Sequence, residues 1–469
     1  KQVQEFFGDY YAINRDLVSL NVPSCAPLMR GNWDQKLFDR ITSGVLAVLL
    51  AMKRRPVIRY QGKSTLCERL ASNVKDCIKQ DSGLFDFRRN EPCLLVILDR
   101  REDPMTPLLT QWTYQAMIHD LFGINNNRVV MGEPKAGASG EKEKDEIVLS
   151  MDADPFFNKN MYANWGDLCQ RLKQFVDEFK KKSDQTSNIQ SIDEMKNFMR
   201  DYPEFRKMSG NVSKHVNLVS EIGDKISERD LLNISVLEQE MACYDSHTAH
   251  YEKLVAILQN PKAQPMDCLR LVMLYALRYE GNPKNSLPEL RRLLEAKGGP
   301  ADKLDLILKY GGAKERHTGM FHKEGMSKIV TNLTRGFKDV NNVYTQHEPL
   351  LKGILEKIAS NRLSTEQFPF VPEFTPQGGS KWKPKQVFIF ILGGATFEEA
   401  LFVNAFNDPS NTNNSANAMQ DGGGGVGVAQ AANLVGLRRK EKEDVHCVLG
   451  GTSMLNAADF LREVDAIYA

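Results

Sequence analysis

Four groups of residues in this chain have the types and spacing to do chemistry. Gly62-Lys63-Ser64-Thr65 reads like the end of a phosphate-binding loop, where backbone N–H groups wrap a phosphate and the lysine reaches its oxygens. The full motif needs a glycine five residues before Gly62, and Val57 stands there, so the loop lacks the turn that closes around phosphate. Gly393-Gly394 and Gly450-Gly451 each follow a strand-like run and precede a helix whose N-terminus could hold an anion. Neither reads G-x-G-x-x-G, and the competing expectation is a tight strand-to-helix turn that needs glycine for close packing. His247 and His250 could share a helix face as metal ligands, yet nothing at ligand spacing completes a site and two histidines are too few for a structural zinc. Solvent-facing histidines are expected instead. The fourth group, Asp99, Arg100, Asp103, Pro104 and Pro107, ends an apolar run, and two readings stand level. Charged residues at the C-terminal end of a parallel strand are where α/β enzymes keep active sites. An Asp–Arg network of bidentate geometry could equally fix a junction between domains. No G-x-S-x-G, H-E-x-x-H or kinase signature occurs, so no catalytic set, metal or cofactor is expected.

The elements that would position these residues follow from periodicity. CLLVILDR, from Cys93 to Arg100, is a continuous apolar run of strand length, as at the centre of a parallel sheet covered on both faces. The opening EFFGDYYAINRDLVSLNV reads as strand-forming sequence cut by turns, Leu37 to Arg55 as a buried helix, PVIRYQ as a strand, and Ser64 to Gln80 as an amphipathic helix. REDPMTPLLTQWTYQAMIHDLFGI turns through two prolines into another helix. Gly132 to Asp145 has the Gly, Ala, Lys and Glu content of an exposed, mobile loop. From Phe156 to Ser360 helical periodicity dominates, punctuated at Asn260-Pro261, Asn282-Pro283 and Gly298-Gly299-Pro300. Gln367 to Pro384 reads as a proline-rich linker. KQVFIFILGGATFEEALFVNAF and EDVHCVLGGTSMLNAADFLREV then repeat the strand–turn–helix pattern, separated by a polar, glycine-rich insert at about 407–442 that cannot bury enough surface to fold.

The fold class this predicts is α/β plus α: a split parallel-sheet α/β domain, 1–118 and 384–469, with a large, mostly helical inserted domain, 119–383. VFIFILGG and VHCVLGG are expected beside CLLVILDR in the sheet.

Within the inserted domain, Ser191 to Ile226 carries two apolar seams at helical spacing. The first runs through Ile192, Met195, Phe198, Met199 and Tyr202; the second through Met208, Val212, Val216, Val219, Ile222 and Ile226. Pro203 lies between them and, with its locked φ and missing N–H, predicts a break near Tyr202. Two arms would meet there as a hairpin. Either the pair covers its own core, or one seam stays open to a partner's amphipathic helix.

Composition sets outer limits. The 469 residues exceed a single core and suggest two to four units. A net charge of +1 lacks the concentrated basic face that phosphate neutralisation needs, arguing against nucleic acid as a partner. The eight scattered cysteines include no C-x-x-C and suit reduced thiols of a cytosolic protein. No run approaches the ~18 consecutive apolar residues of a membrane span.

The run LLVILDRREDPMTPLLTQWTYQAMIHDLFGINNN resembles the SM family, the Sec-one/Munc-eighteen-like proteins that bind syntaxin-type SNAREs. The matching positions are Asp99, Arg100, Asp103, Pro104, Pro107, Leu108, Leu109, Tyr114, Gln115, Ala116 and Met117; FRKMSGNVSKHV, RLVMLYALRYE, NNVYTQHEP, FILGGATFEEAL and VLGGTSMLNAADFL extend the resemblance over nearly the whole chain. It implies three domains in the family, of which the stretches at both ends of this chain are the second and the interval the third. The family's first domain, one wall of the syntaxin cleft, is not among these residues, and the chain reads as a fragment. Membership further implies a non-enzymatic chaperone of SNARE assembly, working in Golgi–endosome–vacuole trafficking and held peripherally at trans-Golgi network, endosome and vesicle membranes through its SNARE. The partners implied are a syntaxin-type SNARE, the assembling SNARE complex and a Rab effector. The helical hairpin would template SNARE helices, with Pro203 at its hinge and Phe205, Met208, Val212, His215 and Val219 as contact positions. The rival readings are a nucleotide-dependent α/β enzyme and a structural tether that binds a different coiled coil.

Overall fold

The computed structural model describes residues 7–29, 33–88, 91–136, 142–187, 192–317, 319, 321, 343–376, 382–408 and 445–468, with side chains left out at 132–145 and 182–207. Its centre is a six-stranded sheet, in which β1 (Tyr11–Asn14), β2 (Leu17–Ser19), β3 (Val57–Tyr60) and β4 (Cys93–Asp99) come from the first part of the chain. β7 (Gln386–Leu392) and β8 (His446–Gly451) come from the last. The order is β1-β2-β8-β7-β4-β3, parallel except for the β1–β2 hairpin. CLLVILDR is therefore flanked by VFIFILGG as expected, while VHCVLGG sits one place further out, between β7 and β2.

Strand periodicity sorts the core into two layers. Leu95, Ile97, Phe388 and Phe390 face α2 (Gln35–Met52) and α3 (Thr65–Gln80). Leu94, Val96, Ile389 and Ile391 face two helices on the other side, α13 (Leu350–Ala359) and α14 (Phe397–Asn407). Local signals start these helices. Asp34 and Ser64 accept the Leu37 and Cys67 N–H groups, and Thr396 with Glu399 forms a capping box on α14.

Between β4 and β7 the chain builds the helical unit. α4 (Tyr114–Phe122) leads to a hairpin of β5 (Arg128–Ala136) and β6 (Lys142–Val148), then to α5 (Pro155–Asn160), α6 (Trp165–Ser187) and α7 (Ile192–Glu228). α8 (Leu231–Cys243), α9 (His247–Gln259), α10 (Pro265–Tyr279), α11 (Leu287–Ala296) and α12 (Leu304–Gly311) follow. Their shared core also takes in Phe460, Leu461, Val464 and Ile467 of the last helix, α15 (Ala457–Tyr468). The two units are thus sewn together by the end of the chain.

Four expectations are corrected here. Gly132 to Asp145 is not a loop throughout: it falls largely within β5 and β6, whose inner face carries Val129, Met131 and Ile147. Gln367 to Pro384 is not a loose linker, because its first part straps the outer edge of β3. Val371 N–H reaches Ile58 O at 2.9 Å, Arg59 donates to Phe368 O at 2.8 Å, and Phe368, Val371 and Phe374 are buried. Prolines suit such an edge, since they offer no N–H to a further strand. α13 and this strap also place 350–374 on the sheet and not, as expected, within the inserted domain. Finally, α7 is one helix running through Pro203, with no hinge dividing it into two rods. A proline removes a single backbone bond from a helix, and the C-terminal half of α7 is held by its packing. The hairpin is instead made by α6 against α7. The insert expected at 407–442 lies outside the described residues from 409 onward.

Candidate functional site

The Asp99–Pro107 group closes on itself. Asp99, at the tip of β4, accepts Ser64 Oγ at 2.6 Å and the Arg101 side chain at 2.6 Å, and the Arg101 bonds hold its carboxyl below the usual range although burial opposes this. Arg100 turns the other way and forms an ion pair with Glu399 of α14, both side chains buried. Asp103 accepts Thr106 N–H at 3.0 Å, Thr106 Oγ1 at 2.6 Å and Leu350 N–H at 3.2 Å, so it also starts α13. Burial opposes ionisation of Asp103, but the Arg100 charge outweighs it and holds the carboxyl low. Pro107 is buried in a 3-10 turn, Thr106–Leu108. From there Thr110 donates to Glu238 of α8 at 2.7 Å from its N–H, Arg270 of α10 donates to Glu238 at 3.0 Å, and Trp112 Nε1 donates to Ser235 at 2.6 Å. Each carboxylate of the motif already has donors, whereas Nε and Nη1 of the buried Arg100 have no hydrogen-bond partner. Gly311 of α12 approaches so closely that a Cβ there would lie 2.7 Å from Pro104.

The phosphate-loop reading finds a different explanation. The Ser64 hydroxyl is spent on Asp99 and on capping α3, which puts a carboxylate where the loop would face its ligand. A Cβ on Gly62 would lie 2.8 Å from Pro369 Cδ, so this glycine serves the approach of the strap. The Gly-Gly turns likewise serve packing. Gly393 and Gly394 have φ of +91° and +100°, and a Cβ on Gly450 or Gly451 would meet Phe388 or the Ala395 backbone at 2.7 Å. His250, expected to face solvent, is buried and bonds Tyr279 Oη at 2.6 Å, while His247 bonds Tyr275 Oη at 2.7 Å. Among the described residues no three His, Cys, Asp or Glu side chains are grouped to hold a metal, and no helix is long and apolar enough to cross a membrane.

α7 departs from the contact set expected of it. Its buried stripe is Val212, His215, Leu218, Ile222 and Ile226, with Met208 and Val219 half-buried. Val212 and His215 are therefore interior residues and are corrected as surface contacts; Leu218, absent from the expected seam, takes the inward place given to Val216. Val216 itself is 39% exposed, between exposed Ser213, Asn217 and Ser220. For Pro203 and Phe205 only the helix is described.

His215 is the least expected feature. It is 0% exposed, its Nδ1 lies 2.8 Å from Tyr114 Oη of α4, and its Nε2 lies 2.9 Å from Asp154 Oδ2. Asp154 caps α5 by accepting Phe157 N–H at 3.0 Å and pairs with Lys214. Burial opposes ionisation of Asp154, but His215 and Lys214 outweigh it and hold the carboxyl well below its ordinary range; burial lowers the His215 pKa. The consistent proton arrangement is a neutral imidazole donating from Nε2 to Asp154 and accepting the Tyr114 hydroxyl at Nδ1. No sequence signal joins these residues, which stand 101 and 61 positions apart.

The family model described as Sec1 family matches residues 1–463. Vacuolar protein sorting-associated protein 45 of Homo sapiens is 40% identical over 468 residues, 99% of this chain and 75% of that protein. Its Saccharomyces cerevisiae counterpart is 34% identical over 432 residues, covering 87% and 73%. Among solved structures, the SM protein Vps45 in complex with the Qa SNARE Tlg2 superposes with a TM-score of 0.78 at 42% identity, over 98% of this chain and 75% of that one. The Unc18–syntaxin 1 complex from Monosiga brevicollis shares the fold, with a TM-score of 0.69 at 19% identity over 98% and 76%.

Proposed function

Because this chain belongs to the Sec1 family, we propose that it binds a syntaxin-type SNARE and chaperones its assembly into a SNARE complex for vesicle fusion. The observation that carries this reading is the likeness, over 98% of the chain, to an SM protein whose structure was solved with a Qa SNARE. The work is non-enzymatic: a rigid sheet unit carries a helical hairpin, α6 and α7, that meets part of the ordering entropy of disordered SNARE segments before their bundle zips. The protein acts from the cytoplasm at trans-Golgi network, endosome and vesicle membranes, reaching them through its SNARE, with a Rab effector as a further partner. The units divide near 118–119 and 383–384, with α13 and the strap carried by the sheet.

On α7 the proposed contact surface is the outer face around Val216, with Met208 and Val219 at its margin and the turn bearing Pro203 and Phe205 beyond. The test is calorimetric titration of the chain with the cytoplasmic segments of syntaxin-type SNAREs, followed by a reconstituted fusion assay. Binding to at least one segment and faster assembly are expected, and Val216→Asp should slow assembly. Failure to bind any of them removes the proposal. Pro203→Ala restores a helix-interior backbone bond at a residue type that costs ~3 kcal/mol in such a position; it should stiffen the hairpin and alter the assembly rate.

A further inference from the structure

The carboxyl ends of three neighbouring strands, β2, β8 and β7, open into a cleft of about 990 Å3. Chain leaving β2 runs on to α2 on one face of the sheet, whereas chain leaving β7 runs on to α14 on the other. Connections that diverge in this way leave a crevice, and open α/β sheets bind small ligands there. Residues 21–25, Gly393 and 452–456, which follow the three strands, line it together with the end of α4 and one side of α15. No residue of the α6–α7 hairpin takes part.

One polar group of this lining is left unmet. His119, near the end of α4, is buried, and its Nδ1 accepts the Ile124 N–H at 2.9 Å, which puts the proton of the neutral ring on Nε2. Burial, the largest influence on this imidazole, lowers its pKa and keeps it neutral. Nε2 has no hydrogen-bond partner: the Met454 carbonyl lies on that side without a formed bond, and Asp459 Oδ2 is 3.9 Å away. Met454 and Asp459 are half-buried residues of the cleft itself, so the N–H is directed toward it. Buried donors ordinarily find an acceptor, because leaving one unmet is costly.

Charge decides which molecules suit the site. The lining carries three carboxylates, Asp120, Asp459 and Glu463, against two arginines, Arg128 and Arg462. Both arginines are exposed and already paired, with Glu146 and Asp459, so a phosphate or carboxylate finds no free cation. Asn21, Asn125, Asn126 and Asn127 add amides that donate and accept without charge, and Phe122 and Phe397 add apolar surface. We propose that this crevice binds an uncharged small molecule of about nucleoside size, whose carbonyl or ring-nitrogen acceptor meets the His119 Nε2–H. Its apolar body lies against the phenylalanines and its remaining polar groups reach the asparagines. Because His119 belongs to α4, which opens the helical unit, and Met454 follows β8 of the sheet, a molecule held between them bridges the two units. This site is independent of SNARE binding through α7.

The test is calorimetric titration and thermal unfolding of the whole chain with uridine, adenosine and nicotinamide, set against AMP and inorganic phosphate. At least one uncharged probe should bind and raise the unfolding temperature, and AMP, whose phosphate meets the carboxylates, should bind more weakly than adenosine. Ala458→Trp, at an exposed position of the lining on α15, fills the cleft without disturbing a buried group and should abolish binding. His119→Phe removes the donor and should weaken binding roughly three- to tenfold. The same contact is read without any substitution in histidine-labelled protein, where the His119 Nε2–H resonance should move downfield as the probe is added. Absence of binding by all three uncharged probes at millimolar concentration overturns the site, and so does binding that Ala458→Trp leaves intact. AMP or phosphate binding as tightly as the uncharged probes overturns the ligand class. An unmoved Nε2–H resonance, or undiminished affinity in a folded His119→Phe, overturns His119 as the anchor.

Discussion

Replacing Arg100 by methionine tests whether the Asp-Arg motif is a junction. The substitution keeps an unbranched side chain of similar length in a closely packed site, beside Gly393, where a Cβ would come 2.9 Å from Arg100 Cβ. What it removes is the charge opposite Glu399, which is buried and already bonded to the Thr396 backbone at 2.9 Å. Breaking a buried pair by removing one partner costs about 3–5 kcal/mol, chiefly because the remaining charge is stranded. Burial already raises the Glu399 pKa, with Arg100 holding it down; without Arg100 it rises further. A carboxyl with a raised folded pKa gives stability that is complete below its unfolded pKa, near 4.5, and lost as pH climbs through the folded value. The Arg100→Met deficit should therefore be largest at neutral pH and shrink under mild acid. Glu399→Gln can keep the capping box only by turning its amide NH2 toward Arg100, so it should also destabilise, without the acid recovery, and the double variant should recover part of the loss, with a coupling of roughly 1–3 kcal/mol. Urea unfolding followed by tryptophan fluorescence, with buried Trp112 at the junction, reads all four proteins. An Arg100→Met variant within about 0.5 kcal/mol of the parent, or a deficit that grows toward acid pH, would refute the reasoning.

Other expectations are simpler to check. Gly394→Ala places a Cβ 2.6 Å from Leu455 Cγ at a φ of +100°, so thermal unfolding should show a loss of at least about 1–3 kcal/mol. His250 is lowered to about 4 by burial, which means that the unfolded chain takes up its proton first; stability should fall as pH drops from about 6.5 toward 4, by at most ~1.4 kcal/mol per pH unit. Denaturant midpoints across that range, compared with those of a His250→Gln variant, isolate this contribution. Glu238→Ala removes the carboxylate that accepts from Arg270 and Thr110, while Asp120 and Asp267 at 3.6 Å still face the guanidinium, and a loss of about 1–3 kcal/mol should appear in the same urea titration.

The parts of this structure that were legible in the sequence are those with strong local signals. β4, β7 and β8 are unbroken apolar runs, α3 and α14 carry caps, and the Asn-Pro and Gly-Gly-Pro breaks fall between helices. The β5–β6 hairpin is hard to see in the sequence because valine stands on both of its faces: Val130 and Val148 are exposed while Val129, Met131 and Ile147 pack inward, so the expected apolar–polar alternation is blurred. The strap over β3 resembles a linker in sequence because its prolines signal irregular chain, and only the bare edge beside it shows that irregular chain is useful there. On α7, Val216 and Leu218, two residues apart, both fit a stripe at helical spacing, and only the neighbouring elements decide that Leu218 turns inward and Val216 outward. The His215 chain was out of reach altogether, because its partners lie on other elements.

The sheet's architecture has a cost in time. Arg100, at the end of β4, meets Glu399, 299 residues later, and at ~5–20 residues per second a ribosome needs roughly 15–60 s to deliver that partner together with β7. Throughout this interval one edge of β4 stands bare, an open template for another chain, while the helical unit is being made without the α15 side chains that complete its core. β8, which must slot between β2 and β7, emerges later still. The growing chain therefore carries the whole inserted helical unit before its two innermost strands exist, and a cell making it must shield that gap until β7 and β8 have been read.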